Sequence, residues 1–446
     1  MAKPGLTVAI IGGGIAGLMF ALALSKSRED IAIDIYEAGP DFSELGAGLN
    51  LWPRVLEIMD SFGLIGELQA TAGKPDHEKK MQFRKGDEPG SIIWGESPAS
   101  IHGIHRGDLL KILVEHTATR CQSHFHKKIV SYEDIPHQPV ILNFTDGTTA
   151  TCDLLVGADG VKSSVRAYMY NQMADKLQSE GRIDDEVENV RKHAKPYWSG
   201  NIIYSSKEEA RRQMIITYPI SQGRFINTAC VVVKDDLYGT IYDGPWAVRT
   251  TNEEVVKQYN GWDAPAQALV KLAENPMRWV VNIVLDDLPT FACGRVAIIG
   301  DAAHSMTTHQ AAGAMQAVED GYVLAALLGR PETSPGTIPL ALRAYDEVRR
   351  PIAQSFQRLS RQTAQMILLD KMDGVTKETS AASVYSKETL PNKNDLLQEL
   401  FQWAPKSSVV PDRDRALQIY GTMVRNSNSG FEHRLPLETV LAFSKM

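Results

Sequence analysis

The hydrophobic pattern changes period near the start of the chain. Thr7–Ile11 is an unbroken β-branched, apolar run, as expected of a strand buried on both faces. Gly12–Gly17 interrupts it, Leu18–Ser25 offers the small and apolar residues of a buried helix, and Ile31–Glu37 reads as a second strand. Strand, glycine turn, helix and strand predict the opening of a doubly wound parallel sheet.

Farther along, Met81–Trp94 reads as a hairpin, and Val140–Phe144 and Ala150–Val156 flank the turn pair Asp146-Gly147. Residues 171–195 turn charged and polar, which predicts a solvated insertion. The runs Ile202–Tyr204, Met214–Tyr218 and Phe225–Val233 predict an antiparallel sheet. Val296–Ile299 returns to the buried-strand pattern and leads to a small-residue helix over Ala311–Leu328. Ile352, Phe356, Leu359, Thr363 and Met366 recur at helical spacing, whereas the polar tail from Lys387 carries no clear period.

Composition narrows the class. The chain has 446 residues, 43% hydrophobic and 23% charged, with a net charge of −7. At ~150 residues per domain this length suggests two or three domains. Mild acidity argues against a nucleic-acid partner. The four cysteines contain no CxxC pair, so neither a disulfide framework nor a zinc ribbon is implied, and a cytoplasmic, reducing compartment is expected. Val8–Leu24 is uncharged, but its glycines and the strand that follows argue against a membrane span or signal peptide.

Three segments carry chemistry. Gly12-x-Gly14-x-x-Gly17 with Glu37 at the end of the next strand is a dinucleotide fingerprint: Gly12 for the tight turn, Gly14 for backbone approach to a pyrophosphate, Gly17 for helix–strand packing, and Glu37 for a ribose diol. Gly300-Asp301-Ala-Ala-His304 places an acid at the C-terminal end of a buried strand, where open α/β sheets bind ligands. Gly157-Ala-Asp159-Gly160 leads into Ser163-Ser164-Val-Arg166, again strand, turn and capped helix. The histidine pairs His102/His105 and His124/His126 lack a third ligand, so no metal site is expected.

Together with Gly46-Ala-Gly48, Arg106, Tyr218-Pro-Ile-Ser, Trp246, Gly261-Trp262, Gln316-Ala-Val-Glu-Asp320 and Arg349-Arg-Pro351, these segments resemble the single-component FAD-dependent aromatic hydroxylases related to para-hydroxybenzoate hydroxylase, in particular the fungal salicylate hydroxylase-like branch. The resemblance implies an α/β fold: a Rossmann-type FAD-binding domain (1–75, 100–195 and 290–335), a smaller β-sheet substrate domain (76–99 and 196–289), and C-terminal helices over 336–446. It implies that Gly12, Gly14, Gly17, Glu37, Ala38, Gly46, Gly48, Arg106, Asp159, Asp301 and Ala314 bind FAD, and that His304, Thr308 and Tyr204 serve catalysis.

The implied reaction reduces FAD with NAD(P)H, a transient co-substrate. The reduced flavin takes up O2 as a C4a-hydroperoxide, which hydroxylates a small, electron-rich, phenol-type aromatic. A decarboxylating salicylate 1-hydroxylase and a hydroxylase-like flavoprotein without monooxygenase activity stand as alternatives. A disulfide reductase does not, because no second nucleotide fingerprint or redox cysteine pair is present. Two departures matter: Thr308 stands where the family usually has Pro, and Ser205 where several relatives have an Arg able to anchor an anionic substrate. A monomer or homodimer is expected. Ser444-Lys445-Met446 resembles a peroxisomal C-terminal address.

Overall fold

The computed structural model describes residues 5–42, 48–74, 80–84, 86, 93–203, 213–234, 237–367, 390–406 and 408–428. Gly46, Tyr204, Ser205 and the C-terminal tripeptide lie outside the described residues.

The β-branched runs assemble one six-stranded sheet in the order Ala292–Cys293, Val296–Ile298, Leu154–Gly157, Leu6–Ile11, Ile31–Tyr36, Gln122–His124. All neighbours are parallel except the first pair. The central strand Leu6–Ile11 is almost wholly buried because helices cover it: Ile15–Ser27 packs on Gly313–Leu328 so closely that a Cβ on Gly321 would lie 3.0 Å from the Phe20 backbone. No helix among the described residues is long and apolar enough to cross a membrane.

A second, five-stranded sheet is entirely antiparallel, in the order Gln213–Ile220, Phe225–Val233, Tyr197–Ile203, Met277–Ile283, Ala247–Arg249. The hairpin of Lys80–Arg84 and Ile93–Ser100 does not join it. It forms its own ladder and docks on helix Leu390–Leu400, where the Gln398 amide donates to the Glu96 carbonyl at 2.6 Å. In its loop, Gly86 O accepts from the Asp263 N–H at 2.9 Å.

One expectation needs correction. Residues 171–195 are not a solvated insertion: Ser164–Ser179 and Asp184–Arg191 are amphipathic helices that bury Met173, Ala174, Leu177, Val187 and Val190. Apart from the buried Arg166, their charges lie on the solvent face, which masked the apolar stripe in a composition average. The tail, where the local pattern carries no clear period, holds helices Leu390–Leu400 and Val410–Asn428. Trp403 stacks edge-on against Trp52 and Phe356, and helix Val410–Asn428 packs along the 30-residue helix Ile338–Ile367.

His193 is buried against the Tyr170 ring, and burial, helped by Lys192, lowers its pKa from 6.5 to about 4. The folded chain therefore resists a proton that the unfolded chain accepts, so stability is full above pH ~6.5 and declines as pH falls toward 4. Substituting His193→Phe should reduce the loss of unfolding free energy between pH 7 and 4.5 by roughly 2–3 kcal/mol. Urea titrations at the two pH values measure it, and identical losses in variant and wild type would refute it.

Candidate active site: a nucleotide cradle at four strand ends

The three sequence motifs leave the C-terminal ends of four adjacent parallel strands. In sheet order these ends are Ile298 before Gly300-Asp301, Gly157 before Asp159, Ile11 before Gly12, and Tyr36 before Glu37. Segments up to 290 residues apart in the chain thus meet along one edge, where open α/β sheets hold ligands.

Gly12 turns the chain at φ +105°, with its N–H donating to Tyr36 O at 2.9 Å, and any side chain there would strike the Ala158 carbonyl. A side chain at Gly17 would strike Gly12 O. Gly14 differs. Nothing lies within 4 Å of where its Cβ would stand, and it begins helix Ile15–Ser27 with no side-chain cap and no acid in the first turn. Its neighbouring N–H groups and the positive end of the helix dipole face open space, the arrangement that receives a phosphate.

The three acids have different surroundings. Glu37 is half-buried, and its carboxylate accepts from Gly13 N–H at 2.9 Å and Gly39 N–H at 2.7 Å. It braces the loop, with lone-pair capacity left for a hydroxyl beside exposed Ala38. Asp159 is committed to the protein: it accepts from Ser163 Oγ at 2.5 Å and from the Ser164 and Val165 N–H groups at 2.7 and 3.2 Å, securing the start of helix Ser164–Ser179. Burial raises its pKa, against the pull of those bonds. Asp301 alone is exposed.

Asp301 owes its position to Gly300, which adopts φ +60°, ψ −141° and presses on helix Ile15–Ser27, where a Cβ would sit 2.8 Å from Ala16. Asp301 Oδ1 also lies 4.0 Å from where a Cβ on Gly313 would stand, beside the uncapped N-terminus of Gly313–Leu328, which carries half-buried Ala314 in its first turn. An open helix start, a second uncapped helix start and a free carboxylate between them fit the pyrophosphate and polyol chain of FAD.

A family model described as the FAD binding domain matches residues 5–360. Over 397 residues the chain is 33% identical to a salicylate hydroxylase of Pseudomonas putida, an alignment covering 82% of this chain and 86% of that protein. It is 31% identical over 391 residues to 6-methylsalicylate 1-monooxygenase of Aspergillus terreus, covering 80% and 82%. A solved salicylate hydroxylase substrate complex matches with a TM-score of 0.71 at 25% identity, covering 93% of this chain and 98% of that one. The chain belongs to the FAD-dependent aromatic hydroxylase family.

The histidine expected to serve catalysis is enclosed in this hydroxylase. His304 has no accessible surface, and its Nε2 bonds Asp320 Oδ2 at 2.5 Å, bracing the turn from the Asp320 side. His309 is also buried, and burial lowers its pKa to about 4, leaving it neutral. Thr308 is exposed on the turn Thr308–Gln310. Gly48 and Arg106 come together because Gly48–Leu51 pairs antiparallel with His102–His105, Gly48 opposite His105, and Arg106 opens the next helix. His105 Nδ1 accepts from Gly107 N–H, and His124 Nε2 bonds Asp34, so these histidines have structural partners; the described residues hold no cluster fit for a metal ion.

Sequence reasoning missed the supports. Arg166, fully buried, donates from Nη1 to Ala302 O at 2.8 Å and from Nη2 to Val161 O at 2.5 Å, tying the Asp159 and Asp301 turns together. Asp320 accepts from Gly300 N–H at 2.9 Å. Both residues lie within motifs visible in the sequence; what they hold does not.

Asp301→Ala should weaken FAD binding by about tenfold or more, since it removes the free acceptor at the cradle. Glu37→Ala should weaken it less in direct contact but should also lower thermal stability, because two N–H groups lose their acceptor. Flavin fluorescence titration of apoprotein and thermal melts measure both; an Asp301→Ala protein with wild-type affinity would refute the placement of Asp301.

Proposed function

We propose that this FAD-dependent aromatic hydroxylase uses NAD(P)H and O2 to hydroxylate a small phenol-type substrate at the face between its six-stranded and five-stranded sheets. The cradle supports assigning Gly12, Gly14, Gly17 and Glu37 with Ala38 to the ADP half of FAD, and Asp301 with Ala314 to the pyrophosphate and polyol chain. Asp159 contributes by holding its helix start. Gly46, Gly48 and Arg106 are assigned to the ring end of the cofactor. The domains we assign are 1–75, 100–195 and 290–335 for FAD and 76–99 with 196–289 for substrate. We place the enzyme in the cytoplasm as a monomer or homodimer.

When bound and reduced by NAD(P)H, FAD supplies the electrophilic oxygen derived from O2. The chain's share is binding, orientation and exclusion of water. Tyr218, on the second sheet, stands over Gly48: a Cβ on that glycine would lie 2.7 Å from the phenol oxygen. Burial pushes the Tyr218 pKa up, so at neutral pH its hydroxyl remains a donor, suited to an aromatic hydroxyl or phenolate oxygen. The observation that carries the reading is the free Asp301 carboxylate between two open helix starts, in a chain whose relatives hydroxylate aromatics.

The similarity to salicylate hydroxylase favours salicylate as a second reading. Ser205 speaks against it, because a carboxylate buried without a counter-charge costs several kcal/mol. Purified yellow protein should consume O2 with NADH or NADPH faster when a phenol is present and should release a hydroxylated product. Salicylamide should give a higher kcat/KM and more product per NAD(P)H than salicylate. Tight, fully coupled salicylate turnover would establish the second reading instead, and uptake unaffected by any phenol would indicate a flavoprotein without monooxygenase activity.

A further inference from the structure

One ribbon lies between the nucleotide cradle and the second sheet. Its strand Gly48–Leu51 packs on helix Gly313–Leu328, the helix whose start adjoins Asp301. The next residue, Trp52, donates from Nε1 to Gln310 O at 3.1 Å, fixing the ribbon to the turn before that helix. Its other face meets the second sheet at two glycines. Asn50 pairs with Gly103 and Gly48 with His105, so Gly48 and Gly103 lie on the same face.

Tyr218 and Asn227 are direct cross-strand neighbours on the second sheet, and both rest on that face. A Cβ on Gly48 would lie 2.7 Å from Tyr218 and 2.8 Å from the Asn227 carboxamide carbon; one on Gly103 would lie 2.9 Å from the Tyr218 ring. Asn227 Oδ1 accepts from Gly48 N–H at 2.8 Å, a polar bond across 179 positions of the chain. The glycines therefore allow an approach of backbone to side chain that any larger residue would prevent.

We infer that Asn227 is a positioning residue: by holding Gly48 N–H it fixes the distance between the aromatic-binding sheet and the cofactor ribbon, and so sets how tightly reductant oxidation is coupled to hydroxylation. The inference rests on the proposed hydroxylation. The bond touches neither Asp301 nor the Gly12–Gly17 loop and reaches the cofactor only through Gly48 at its ring end, so its loss should change FAD affinity less than it changes the placement of an aromatic. It does bear on where an aromatic held by the sheet lies relative to the ribbon. Loss of the acceptor leaves a half-buried N–H unpaired and lets the two surfaces separate.

The test compares Asn227→Leu, which keeps the size and loses the acceptor, with Asn227→Asp, which keeps an acceptor. FAD affinity of both apoproteins should stay within about threefold of wild type. In Asn227→Leu the Kd of an aromatic ligand, read from its perturbation of the flavin spectrum, should rise about fivefold to tenfold. Product per NAD(P)H oxidised should fall to less than half, with kcat reduced along with KM raised; Asn227→Asp should restore both toward wild type. Equal ligand perturbation and equal coupling in the Leu variant overturn the inference, as does a loss of FAD affinity matched to the loss of coupling. If wild type yields no hydroxylated product, the hydroxylation reading fails, while the ligand perturbation still decides whether Asn227 positions the ribbon.

Discussion

A guanidinium without solvent holds the cofactor side of this molecule together. Arg349 is fully buried, donating from Nη1 to Glu319 at 2.9 Å, from Nε to Asp320 at 3.0 Å and from Nη2 to Gln316 Oε1 at 2.6 Å. Burial opposes its charge, but Glu319 and Asp320 outweigh burial and raise its pKa. The same balance lowers the pKa of Asp320, where His304 and Arg349 overcome the desolvation that would raise it. Glu319 also binds Arg54 at 2.6 Å, and Arg54 reaches Asp412 at 3.0 Å. Removing one member of such a cluster typically costs about 3–5 kcal/mol, because the others remain buried and unpaired.

That cluster explains why the cradle is held in place without its own regular ladder. Asp320 fixes Gly300 in a conformation open to glycine, and Gly300 sets Asp301 against the first helix. Arg54 follows the ribbon Gly48–Leu51, so the same buried charges anchor the ribbon from beneath. Asp412 extends the network to the C-terminal helix, which makes that helix part of the cofactor support.

The three acids at the strand ends show how position, rather than residue type, assigns work. Glu37 braces a loop, Asp159 starts a helix, and Asp301 faces solvent with its oxygens available. All three follow a short buried strand and a turn, so the local sequence offers little to separate them. Their differences come from the amides that each carboxylate meets.

The sequence alone determined the parallel-sheet core, the glycine fingerprint and the acids at strand ends, because these depend on local period and short spacing. Runs such as Thr7–Ile11 can bury both faces only in such a sheet, and Gly12 and Gly17 have no room for a side chain. Where apolar stripes were diluted by charge, as in Ser164–Ser179, Asp184–Arg191 and the C-terminal helices, local reading gave insertion or silence. Tertiary structure alone decided that His304 is enclosed against Asp320, that Asp159 is occupied, and that Asn227 reaches Gly48. Each of those outcomes depends on a partner far away in the chain, and a hydrogen bond between distant residues leaves no periodic trace in sequence.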